Sequence, residues 1–155
     1  MKIKKALIVT ALLGSFMLGY GFHSLTKSEQ LGPRATGIGG IFFKCKDPKA
    51  LKQWYADNLH MQVVATGATF AWREDADSKK KGITLWTPFR ETTTYFAPSD
   101  KQFMINYRVV GLNALLANMK AKGISPVDSV EKTSYGDFVH VMDPEGNKIE
   151  LWESK

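Results

Sequence analysis

The sequence predicts an α+β domain built from two copies of a βαβββ module, forming a curled mixed sheet with the helices outside and a hydrophobic helix ahead of it. Three observations predict it. A strand-like segment, a helical segment and three more strand-like segments follow one another twice between residues 37 and 152. Both helical segments carry local boundary signals. Near the end of the chain, Asp143-Pro144-Glu145-Gly146 forms a tight turn between two apolar-rich runs, which makes a hairpin.

The first module opens with Gly37 to Lys46, rich in isoleucine and phenylalanine, as a strand. Asp47 is placed to cap the following helix, and Pro48 fits its first position. Helical spacing puts Leu51, Trp54, Tyr55 and Leu59 on one side, so Trp54 is expected in the core. Strands are expected at 62–65, 69–73 and 82–87. The second module opens with the strand Phe103 to Val109. Its helix shows Leu112, Leu115, Leu116 and Met119 at i, i+3, i+4 and i+7, and Gly123 ends it. Strands are expected at 127–130, 138–142 and 148–152, with residues 132–136 as a loop over the cup mouth. In the last strand a two-residue period puts Lys148, Glu150 and Trp152 on one face and Ile149 and Leu151 on the other.

The 155 residues carry a formal net charge of +6. Three basic residues, Lys2, Lys4 and Lys5, precede an apolar run from Ala6 to Phe22. That layout is expected of a signal anchor or a signal peptide over residues 1–24, with 25–36 a polar linker and 37–153 the domain. An anchor at residues 6–22 would place the domain outside the cytoplasm, on the inner membrane; cleavage would release it. Beyond residue 24 the chain holds 18 basic and 15 acidic residues. No element interleaves basic residues with stacking aromatics, which argues against a nucleic-acid partner. The one basic run, Lys79-Lys80-Lys81, reads as a solvated loop. Cys45 has no cysteine partner and reads as a small hydrophobe on a strand.

The Asp47-Pro48-x-x-Leu51-x-x-Trp54-Tyr55 helix start, the Leu112-to-Gly123 helix and Asp143-Pro144-Glu145-Gly146-Asn147-Lys148-Ile149-Glu150-Leu151 together resemble the vicinal oxygen chelate superfamily. That superfamily includes glyoxalase I, bleomycin-resistance proteins and extradiol dioxygenases. The resemblance implies a cup with four inward metal-ligand positions, typically two histidines and two carboxylates. On this sequence they fall at Glu150, Thr84 and near Gly40 and Met104, so one of four expected ligands is present. Neither first strand carries a histidine or an acid, and no metal or other cofactor is expected. A glycine, a thioether and a threonine cannot complete a site for a hard or borderline ion.

The expected cup-facing residues are Thr84, Trp86, Asn106, Arg108, Glu150 and Trp152, with Lys148 sharing their face. Arg108 is expected either to pair with Glu150 or to clamp an anionic ligand, and Glu150 is the weak catalytic candidate. His140, Glu131 and Tyr135 are lesser candidates. The functional expectation is a membrane-tethered or exported domain that binds a small anionic or neutral organic molecule without a metal. The alternative is an enzyme, a glyoxalase-like lyase or isomerase or a dioxygenase-related oxidoreductase. Family members often pair, so a homodimer is compatible with the sequence.

Overall fold

The computed structural model describes residues 32–75 and 77–155. The expected N-terminal hydrophobic helix and its cleavage or anchoring lie outside the described residues. Among those described, no helix is long and apolar enough to cross a membrane.

Seven strands form one mixed sheet: β1 (Arg34–Cys45), β2 (Ala68–Glu74), β3 (Asp77–Arg90), β4 (Phe103–Val110), β5 (Glu131–Thr133), β6 (Gly136–Met142) and β7 (Lys148–Ser154). Among the described residues two helices, α1 (Pro48–Leu59) and α2 (Leu112–Ala121), follow β1 and β4. The strand order is β2-β3-β1-β4-β7-β6-β5. The first module supplies β2-β3-β1 and the second β4-β7-β6-β5. They join where β1 and β4 run antiparallel, while β1–β3 and β4–β7 are parallel. Thr69 on one edge strand and Phe138, near the other edge, line a single cavity, so the sheet curls into the expected cup.

Local signals account for much of this. The Asp47 carboxylate accepts from the Lys49 and Ala50 amides at 2.9 and 3.0 Å, capping α1. His60 closes the helix in the left-handed region, with φ of 52°. In the β6–β7 turn, Asp143 accepts from the Glu145 and Asn147 amides at 2.9 and 2.8 Å, and Gly146 takes φ of 77°. The apolar stripe of α2 packs on the outer face of the sheet, where Leu112 joins Val109, Val139, Val141 and Leu151. A second core of Phe42, Phe96 and Met104 lies at one end of the cup.

Several expectations are corrected. Residues 62–65 form only an isolated bridge, Val63 to Ala68. The strand expected at 127–130 is displaced to Glu131–Thr133, so residues 132–136 form a β5–β6 hairpin instead of a loop. Lys79-Lys80-Lys81 lies in β3 and is exposed, with Lys81 paired to Arg73 of β2, because the hairpin extends past the apolar residues that signalled it. Trp54 is 53 % exposed rather than core. Tyr55 makes the helix-to-sheet contact instead, its ring 4.7 Å from Trp86, and Trp54 leans edge-on against Tyr55. β1 begins at Arg34, so pairing with β4 includes Arg34 and Ala35 of the segment assigned as linker. Cys45 ends β1, partly buried.

Candidate functional site

Register alone builds the floor of the cup. Leu85 pairs with Gly40, Gly40 with Asn106, Asn106 with Glu150, and Glu150 with His140. Directly paired residues point to one face, so these five positions form a row across β3, β1, β4, β7 and β6. Glu150 is 3 % exposed at the row's polar end.

A carboxylate this buried needs compensation. It accepts from Asn106 Nδ2 on Oε1 at 2.6 Å, and from the Tyr95 hydroxyl on Oε2 at 2.5 Å. The His140 Nε2 lies 3.0 Å from Oε2, and its Nδ1 lies 2.6 Å from Asp128 Oδ2. Burial alone would raise the Glu150 pKa, but the bonds from His140, Tyr95 and Asn106 outweigh it and hold the carboxyl below its ordinary range. Burial opposes the charge on His140, yet the Glu150 and Asp128 carboxylates on its two nitrogens raise its pKa overall. Burial and the adjacent carboxylate push the Tyr95 phenol far above its ordinary value. The network therefore holds an ionised Glu150 against a histidine biased toward the imidazolium.

Tyr95 arrives from the segment between β3 and β4. That segment is pinned by the buried Phe96, by Ser99 Oγ donating to the Gly146 carbonyl at 2.6 Å, and by Lys148 Nζ donating to the Tyr95 carbonyl at 2.9 Å. The Lys148 ammonium also lies 5.3 Å from the Tyr95 ring centre. Above the floor opens a cavity of about 480 Å³, lined by Phe42, Ile83, Leu85, Phe138 and Trp152, by Thr66, Thr69 and Thr87, and by Asn106 and Glu150. The Phe138 and Trp152 rings stack 5.8 Å apart at 5°. Tyr135 stands at the mouth, 77 % exposed.

The structure brings Asn106, Glu150 and Trp152 together in the cup. Thr84 and Trp86 point to the other face of β3, because Leu85 and Thr87 are the residues in register with the cup-facing Gly40 and Phe42. The Thr84 hydroxyl donates to the Ile38 carbonyl at 2.6 Å and accepts from the Trp72 indole at 2.9 Å. Trp86 packs under α1. The slot expected at Thr84 is off by one in the pleat, with Leu85 at the cup-facing position.

Arg108 does not meet Glu150. Its guanidinium sits 5.5 Å from both the Trp72 and the Trp152 rings and donates to Ser154 Oγ at 3.2 Å. With Phe138 it makes a four-layer stack: Trp72, Arg108, Trp152, Phe138. The stack closes over bare backbone. A Cβ at Gly39 would come within 2.1 Å of Asn106 Oδ1, and one at Gly82 within 2.3 Å of the Trp72 ring. Glu131 is an exposed residue of β5. Tyr95 and Asp128 are the functional residues that sequence reasoning missed. Both lie in irregular segments, where no periodicity assigns a face.

The profile of the family described as a glyoxalase-like domain matches residues 40–152. The chain belongs to the glyoxalase-like domain family. Two methylmalonyl-CoA epimerase structures with TM-scores above 0.5 agree on the vicinal oxygen chelate fold. A Streptomyces coelicolor methylmalonyl-CoA epimerase variant in complex with 2-nitronate-propionyl-CoA is 18% identical, with a TM-score of 0.57, covering 78% of this chain and 99% of its own. The Mycobacterium tuberculosis methylmalonyl-CoA epimerase is 16% identical, with a TM-score of 0.51, covering 83% and 94%. A glyoxalase/bleomycin resistance protein/dioxygenase superfamily member from Vibrio splendidus 12B01 is 15% identical, with a TM-score of 0.47, covering 74% and 96%. No curated protein matches the sequence significantly.

A divalent ion is implied by metal enzymes of this fold, and the glyoxalase-like cup can be tested for it. The row that faces the cup offers Leu85, Gly40 and Asn106 beside Glu150. Both Glu150 oxygens accept bonds, both His140 nitrogens face carboxylates, and the Asn106 amide presents its N–H side to Glu150. Among the described residues no three histidine, cysteine or acidic side chains converge as a cation site. This donor set does not fit a divalent ion.

Proposed function

We propose that the cup is a metal-free binding site for a small organic molecule. The observation that carries this reading is the state of Glu150. Among the described residues, the one carboxylate on the cup floor is held ionised by Tyr95, Asn106 and His140, beneath a cavity of about 480 Å³ walled by apolar and aromatic side chains. Such a carboxylate is a poor general base near neutral pH, because its pKa lies below the ordinary range. It is a good fixed acceptor. The likeness to epimerases is a likeness of fold and carries no reaction across.

A second reading, a metal-independent proton-transfer enzyme with Glu150 as base, draws on one observation. The chain Glu150–His140–Asp128 leads from the buried floor to a carboxylate that is 40% exposed. We further propose that residues 6–22 hold the domain at the inner membrane, outside the cytoplasm. The basic start and apolar run support that placement, and cell fractionation with protease protection tests it.

Metal analysis of purified protein, joined with thermal unfolding in EDTA and in added Zn²⁺, Ni²⁺ or Mn²⁺, tests the metal-free reading. The expected result is no stoichiometric ion and no shift in Tm. A stoichiometric ion lost in Glu150→Gln would overturn it.

A further inference from the structure

We propose that the cup selects an aromatic molecule carrying an uncharged hydroxyl or N–H donor, which it delivers to Glu150 Oε1. This rests on the reading of the cup as a binding site. The first support is a count of acceptor positions. An ionised carboxylate offers about four. Tyr95 and His140 share Oε2, whereas Oε1 takes Asn106 alone. One position on Oε1 is left, on a residue that lines the cavity.

The second support is the charge of the lining. Among the described residues, no lysine, arginine or histidine lines this cavity, and Glu150 is its one formal charge. Lys148 turns its ammonium to the Tyr95 carbonyl and ring, and Arg108 is held between Trp72 and Trp152. An anion would meet the carboxylate with no cation to balance it. A cation would add like charge beside His140, which lies against Glu150 Oε2 and is biased toward the imidazolium. An uncharged donor fills the remaining position without either cost.

The third support is shape. Phe42, Phe138 and Trp152 give the cavity aromatic walls, and the three threonine hydroxyls can serve as donor or acceptor. Asn106 Oδ1 is buried without a partner among the described residues, close to Gly39, while Asn106 and Glu150 both line the cavity. The ligand therefore approaches Glu150 from the cavity.

Three probes of one shape test this: p-cresol, toluene and 4-methylbenzoate, titrated into the full chain while the Trp152 indole N–H is followed by NMR. p-Cresol is expected to bind at least roughly tenfold tighter than toluene, the equivalent of about 1.4 kcal/mol, and 4-methylbenzoate weaker than either. Glu150→Gln should shrink the cresol-to-toluene ratio. Thr69→Trp, on an exposed edge-strand position that lines the cavity, should abolish binding of all three without loss of fold. Toluene equal to p-cresol, or 4-methylbenzoate tighter than p-cresol, overturns the donor assignment and leaves the binding site standing. Binding undiminished in Thr69→Trp places the ligand elsewhere and overturns it too. No binding by any probe counts against both readings.

Discussion

Replacing Glu150 by Gln exchanges a single carboxylate oxygen for an NH₂ and tests the whole floor. Glutamine keeps the length, and its carbonyl can still accept from Asn106. Its NH₂ must then face Tyr95 and His140, where the carboxylate oxygen accepted from both. The phenol can rotate to accept, and a neutral His140 can accept at Nε2 while Nδ1 donates to Asp128. The fold is retained, but three bonds to a charge become bonds between neutral groups. Bonds to charged groups are worth about 1.5–3 kcal/mol and neutral ones about 0.5–1.5, so the loss should be about 2–4 kcal/mol, or roughly 10 °C in Tm. The loss should depend on pH. His140 is raised from its ordinary 6.5, so its contribution is full below 6.5 and fades as pH rises through the folded-state value. Glu150 is lowered from 4.5, so its contribution is present above 4.5 and fades as pH falls through the folded-state value. Urea unfolding should therefore find the largest difference between wild type and variant at about pH 5–6.5 and a smaller one at pH 9. NMR titration should find the His140 pKa lowered in the variant. An equal loss at both pH values, or an unmoved His140 titration, would refute the coupled pair.

Arg108→Ala removes two cation–π contacts and the bond to Ser154, and should cost about 1–3 kcal/mol by urea unfolding; Arg108→Lys should recover little of it, because the ammonium lacks the plane that stacks. Neither should move the His140 titration, since Arg108 does not touch Glu150. Thr84→Val leaves the Ile38 carbonyl and the Trp72 indole without their partner, at about 1–3 kcal/mol, and should leave probe affinity unchanged in the NMR titration. Glu153→Ala removes the acceptor for the Gly111 and Leu112 amides at the start of α2 and should cost about 1 kcal/mol, visible as faster hydrogen exchange in the first turn of that helix.

The corrections share one physical origin. Elements with a strong period, such as α2 and β7, were legible because burial on one face leaves its repeat in the sequence. The first helix was legible in extent and less so in packing: its apolar side is right in composition, but the sheet it covers has room for Tyr55 and leaves Trp54 in solvent. The register of β3 failed because its cup face is made of Ile83, Leu85 and Thr87, and its outer face of Thr84 and Trp86. Both sets alternate equally well, and a one-residue slip exchanges them. On the floor, Glu150 and Asn106 were found from period and motif. Tyr95 and Asp128 come from irregular segments and act over 55 and 12 residues of chain, so no local pattern announces them.

By itself the sequence determined the duplicated α+β plan, the Asp143 turn, the Asp47 cap and the inward face of β7, because each is set by contacts within a few residues. The two helix starts mark the boundary. Asp47 caps α1 from three residues away and can be read from the sequence, whereas α2 takes its cap from Glu153, 41 residues on. Only the tertiary structure decided that Arg108 stacks between two tryptophans rather than pairing with Glu150, and that Glu150 is held by a tyrosine, an amide and a histidine. A side chain's partners are chosen by which strands become neighbours, and strand order is fixed by packing the whole sheet, which no short stretch of the chain contains.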